Sequence, residues 1–115
     1  MNDANHAQQL TNHRWWSERI DALLSGLRGR IEQADAETDA ESPFPYYDAL
    51  RNQSEFPLLV DSIASLLSKE QIPITNAESE ILRELMYRVE SPPSFFRCLN
   101  DRETVMASLN VTEIP

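Results

Sequence analysis

Apolar side chains recur every three or four positions through four segments of the chain, the period of a helix that buries one face. The first stripe is Trp16, Ile20, Leu23, Leu24, Leu27, Ile31 and Ala34. It follows ten polar, aperiodic residues, so the pattern predicts a flexible N-terminus over 1–10 and a helix from about Thr11, capped by Thr11 or Asn12. Gly26 and Gly29 lie inside this helix, where each costs about 1 kcal/mol against Ala. Their spacing of nearly one turn points to a bend or to the close approach of a neighbour.

Asp35, Glu37, Asp39 and Glu41 then alternate with small residues ahead of Ser42-Pro43-Phe44-Pro45. Carboxylates spaced in this way stay in water, which predicts an acidic, proline-containing connector over 35–45. Pro45 suits the first turn of a short helix reaching about Asn52, with Tyr46, Tyr47 and Leu50 on its apolar side. Ser54 and Pro57 mark the next start. The stripe Phe56, Leu59, Val60, Ile63, Leu66 and Leu67 follows, and Pro73 stops that helix soon after Lys69. Thr75-Asn76-Ala77-Glu78 has the form of a capping box, opening a helix that turns Ile81, Leu82, Leu85, Met86 and Val89 inward until Ser91-Pro92-Pro93. A short helix over 94–99 is expected next, then a second box at Asn100-Asp101-Arg102-Glu103 ahead of Val105, Met106 and Leu109, with Asn110 as C-cap and an extended tail from Val111 to Pro115. Sustained period-two alternation and Asn-Gly or Asp-Gly hairpin signals are absent. The expected fold is therefore all-α, a compact bundle or irregular array of five to six helices forming one domain over 11–115.

Charge narrows the partners. Nineteen acidic residues against ten basic ones give a net charge of −9 in 115 residues. Such a chain offers no basic stripe to displace phosphate counterions, and its sign disfavours anionic lipid, so direct nucleic-acid binding and membrane binding are not expected. The longest apolar run, Leu58 to Leu67, is interrupted by Asp61 and Ser65 and is too short for a bilayer span. The first residues show no basic region followed by an apolar stretch, and the single cysteine, Cys98, has no partner for an intrachain disulfide. Both observations fit a cytoplasmic protein.

Catalytic apparatus is not legible. His6 and His13 are seven residues apart, about two helical turns, which is too far for one metal ion, and no histidine follows Trp15. The alternating carboxylates lack the glycine and the terminal bidentate Glu of a calcium loop. Neither a phosphate-binding glycine loop nor a Gly-x-Ser-x-Gly elbow occurs. Glu80 and Glu84 share a helical face, but in an acidic helix such pairs form a solvated surface. The expectation is a non-enzyme without cofactor or metal.

What remains is acidic surface mixed with aromatic rings. Glu80, Glu84 and Tyr87 form a stripe opposite the Leu82, Leu85, Val89 face, and Tyr46, Tyr47 and Asp48 follow directly on the connector carboxylates. Rigid aromatics beside concentrated negative charge suit recognition of a basic protein. The candidate partner-binding set is therefore Asp35, Glu37, Asp39, Glu41, Tyr46, Tyr47, Asp48, Glu80, Glu84 and Tyr87. Adjacent helical residues point about 100° apart, so one ring of each pair Trp15/Trp16, Tyr46/Tyr47 and Phe95/Phe96 is a candidate for exposure.

In size, charge and the acidic-aromatic segment from Asp35 to Asp48, the chain resembles the small acidic immunity proteins of bacterial toxin systems, of the contact-dependent growth inhibition or nuclease bacteriocin type. The resemblance implies a non-catalytic inhibitor that binds and neutralises a basic toxin such as a nuclease in the cytoplasm. Phage-encoded inhibitors of bacterial defence complexes, of the anti-CRISPR or nucleic-acid-mimic type, share this profile, and a helical adaptor subunit is a further alternative.

Overall fold

A computed structural model describes residues 3–39 and 41–112, with side chains from His13 onward. It contains five helices: α1 (Asp3–Thr38), α2 (Phe44–Asn52), α3 (Phe56–Glu70), α4 (Asn76–Arg88) and α5 (Arg102–Ser108). The fold is all-α, as the periodicity predicts; among the described residues the only extended pairing is an isolated bridge between Ile74 and Val111.

Helix α1 starts at Asp3, well before the expected Thr11, so Thr11 and Asn12 lie within it rather than capping it, and the expected flexible segment over 1–10 is helical from Asp3. An apolar stripe marks burial and not helicity, and the segment from Asp3 to Leu10 holds no proline or glycine to prevent a helix. At its other end α1 runs through Asp35 and Glu37 to Thr38, whose hydroxyl turns back to the Ala34 and Asp35 carbonyls. Asp39 then takes a left-handed conformation (φ 59°) and ends the helix. The connector is thus shorter than the predicted 35–45, because alternating carboxylates do not themselves break a helix. Residue 40 lies outside the described residues, as do residues 113–115 of the predicted extended tail.

Ion pairs fix the directions. Arg51 of α2 reaches Asp21 and Ser17 of α1, while Asp48, one turn earlier in α2, stands 3.7 Å from Arg28. Helix α2 therefore lies antiparallel to α1. Helix α4 does so too, with Glu78 on Arg30 and Glu84 on Arg19. Helix α3 runs in the direction of α1: Phe56 at its start stacks on Trp16 at 5.8 Å, and Leu66 near its end shares a cavity wall with Ala34. Between them lies one core, including Ile20, Leu23, Leu27, Leu59, Ile63, Leu67, Leu82, Leu85 and Met86, all fully buried.

The Thr75–Glu78 capping box forms as expected, the Glu78 amide donating to Thr75 Oγ1 at 3.1 Å and the Thr75 amide to Glu78 Oε1 at 2.8 Å. The second expected box does not. Asp101 is the N-cap of α5 without a side-chain bond, and the Asn100 amide group donates instead to the Pro93 and Phe96 carbonyls. Residues 94–99 form turns rather than a helix, held onto α3 where the Leu99 amide donates to Asp61 Oδ1 at 3.0 Å. Leu109, not Asn110, caps α5; the Asn110 side chain donates to the Gln71 carbonyl.

Candidate binding surface

The parallel course of α1 and α3 brings two helix C-termini to one end of the molecule. Each closes on a non-glycine residue at positive φ, Asp39 at 59° and Gln71 at 52°. A helix C-terminus carries about half a negative charge from its unsatisfied carbonyls. At this end the chain adds Asp35 and Glu37 in the last turn of α1, Asp39 and Glu41 after it, and Glu70 at the end of α3. None of these five carboxylates takes part in an ion pair among the described residues, and α1 has no basic residue in its last turn. Arg30 is nearby but is committed to Glu78 and the Pro73 carbonyl, which leaves Lys69 as the cation of the last turn of α3.

The acidic end is grooved. A cavity of about 310 Å³ is lined by Glu37, Glu70 and the Arg30 side chain together with Ala34, Ile72 and Pro73, and a smaller one of about 120 Å³ by Asp35, Glu41 and Glu70 with Leu66, Ile72 and Pro43. They share Ala34, Glu70 and Ile72. Asp35 is half-buried, and its Oδ2 is buried without a hydrogen-bond partner among the described residues. Glu37, Asp39, Glu41 and Glu70 are exposed.

Glu70 is the member that sequence reasoning misses. Beside Lys69 at a helix end it reads as ordinary solvated surface, and only the direction of α3 relative to α1 places it with the connector carboxylates.

Tyr46 is 52% exposed, whereas Tyr47 is 3% exposed and packs edge-on against Phe44 in the core. Tyr47 therefore leaves the candidate surface, as the 100° offset between neighbours requires of one of the two. Its hydroxyl donates a long bond to the Ser62 carbonyl, and its phenol is pushed far above the usual range by burial, then by Asp35 and Tyr46. Asp48 is exposed beside Arg28. On α4, Glu80 is exposed without an ion pair among the described residues, Glu84 is bound to Arg19 at 2.9 Å, and Tyr87 is 44% exposed under the Arg102 guanidinium. Because α4 is antiparallel to α1, Glu84 meets α1 at Arg19, well before its acidic end, while Tyr87 lies against α5. The Arg19 and Arg30 anchors are about 16 Å apart along α1, so the ten candidate residues do not form one patch.

Of the other ring pairs, Phe95/Phe96 divides in the same way and Trp15/Trp16 does not. Phe95 is 72% exposed beside a buried Phe96. Trp15 and Trp16 are both half-buried, Trp15 lying between the Arg19 and Arg88 guanidinium groups and Trp16 against Phe56.

Among the described residues no group of three His, Cys, Asp or Glu side chains is placed to hold a metal ion. His13 is exposed with its ring edge-on to Phe56, and the His6 side chain lies outside the described residues. Cys98 is buried, and burial followed by Asp61 pushes its thiol upward. No described helix is long and apolar enough to cross a membrane. No family model, curated protein or solved structure matches the chain.

Proposed function

We propose that this protein is a non-catalytic inhibitor of the immunity type, which binds a basic protein, most simply a toxin domain such as a nuclease, through its acidic end. The observation that carries the reading is the convergence of two helix C-termini with five carboxylates that take part in no ion pair among the described residues. Negative side chains in the last turn of a helix oppose its dipole, and like charges there repel, so the arrangement costs stability in the free protein. A cationic surface docked on this end relieves both terms. Tyr46, one turn from the connector, supplies an exposed aromatic ring beside that charge, the residue type favoured at binding hot spots.

The test is co-expression with the product of the neighbouring gene. A product that arrests growth, is rescued by this protein, and is rescued less well when Glu37, Asp39, Glu41 and Glu70 are replaced by their amides supports the reading. Failure to rescue and to form a complex refutes it.

A further inference from the structure

Phe95 is the most exposed large hydrophobic residue described, yet it is not on a loose segment. Pro92 and Pro93 restrict the backbone ahead of it, the Phe96 amide donates to the Pro93 carbonyl at 3.0 Å, and Asn100 Nδ2 donates to both the Pro93 and Phe96 carbonyls at 2.8 Å. The Phe96 ring backs it edge-on at 4.6 Å. The turn that carries this exposed ring is already ordered by these backbone bonds, so docking on it costs little backbone freedom. Asn100 also lines a groove of about 460 Å³ floored by Leu99 and Pro92. Glu90, Asp101 and Glu103 face this groove, and none is in an ion pair among the described residues. Its one lining guanidinium, Arg102, is turned to the Leu99 and Val89 carbonyls and the Tyr87 ring.

We infer that the Phe95 turn and this groove form a second docking surface, for a partner loop that sets a cationic side chain, arginine or lysine, beside an apolar one. The cation is recognised by the three carboxylates, its aliphatic stem by Pro92 and the half-exposed Tyr87 ring, and the neighbouring apolar group by Phe95. A second copy of this chain is disfavoured as occupant, since two chains of net charge −9 repel. The surface lies on the α4–α5 side and does not rest on the function proposed for the acidic end.

The test is a nitrogen-15 NMR titration of the full chain with Ac-Leu-Arg-Leu-Arg-NH2, with Ac-Leu-Glu-Leu-Glu-NH2 and Ac-Gly-Arg-Gly-Arg-NH2 as controls. The expected result is shifts centred on residues 90–104 for the first peptide, with both controls binding at least about fivefold more weakly. Phe95→Ala and the combined Glu90→Gln, Asp101→Asn, Glu103→Gln variant, each checked for folding by circular dichroism, should weaken the first peptide by a similar factor. Absence of shifts, shifts centred on the end of α1, a control that binds equally well, or either variant binding as the parent does overturns the inference. Shifts centred on the end of α1 would do so while leaving the acidic-end reading intact.

Discussion

The Glu78 carboxylate fills the space that a side chain at position 26 would need: a Cβ built on Gly26 would overlap its Oε2. Both carboxylate oxygens accept from Arg30, at 2.7 Å each, and Oε1 also accepts the Thr75 amide. Helices α1 and α4 thus meet through a largely buried ion pair seated on a glycine. Burial alone would favour the protonated acid, but the Arg30 and Thr75 hydrogen bonds outweigh it and hold Glu78 below the ordinary carboxylate range.

The two glycines of α1 should therefore respond oppositely to alanine. Nothing lies near a Cβ at Gly29, so Gly29→Ala should raise stability by about 1 kcal/mol through helix propensity. Gly26→Ala gains the same propensity but displaces a buried ion pair, and should lower stability by about 2 kcal/mol net. Urea unfolding of both variants decides the matter; a gain at both positions would show that the seat is not needed.

Glu78 also sets an acid limit. Its folded pKa lies below the ordinary 4.5, so its contribution is complete above that value and is lost as pH falls through the lower folded one. The stability difference between parent and Glu78→Gln should be largest near neutral pH and shrink below about pH 4. Unfolding curves at a series of pH values would show it, and a difference independent of pH would count against the pair.

Periodicity reveals where a chain is buried, and this governs what was legible. The stripes from Ile20 to Ile31 and from Phe56 to Leu67 and the Thr75–Glu78 box are all realised, because each depends on local spacing or local hydrogen bonds. The sequence ahead of Thr11 carries no periodic apolar stripe and so gives no signal. The turns at 94–99 resemble a helix in sequence, but their hydrogen bonds go to Asn100 and to Asp61 of α3, neither of which local pattern foretells. The candidate surface was half legible for the same reason. The connector carboxylates are contiguous in sequence, whereas Glu70 joins them only through the parallel course of α3.

Neutralising the acidic end should stabilise the free protein. The combined Glu37→Gln, Asp39→Asn and Glu41→Gln variant removes charges that oppose the α1 dipole, and should gain on the order of 1 kcal/mol at low salt and less at high salt. Thermal unfolding at two ionic strengths measures this. If the function proposed above holds, the same variant should associate with the basic partner more slowly, and the gap should close as salt rises.

Adjacent tyrosines should separate stability from binding. Tyr47→Ala empties a core site and should cost about 3 kcal/mol, whereas Tyr46→Ala should stay within about 0.5 kcal/mol and act on partner dissociation instead. Because the Tyr47 pKa is raised by folding, its contribution is full below the ordinary value of 10 and is lost as pH rises above it. Tyr47→Phe should match the parent within about 1 kcal/mol at pH 7 and outlast it in alkali. Equal alkaline midpoints would contradict the burial of the phenol.

The pairing of Ile74 with the segment after α5 works as a buckle. The Ile74 amide donates to the Asn110 carbonyl at 3.0 Å and the Thr112 amide to the Ile74 carbonyl at 2.8 Å, so the stretch carrying α4, the proline turns and α5 leaves and returns at a single point. Inside that closed strap lie Glu78, the Phe95 turn and its groove, while the acidic end of α1 lies outside it. Opening the buckle would break only these two hydrogen bonds, because Leu82, Leu85 and Met86 keep the strap in the common core, so the pairing joins the end of α5 to the approach to α4 and couples the two faces of the molecule through one interior.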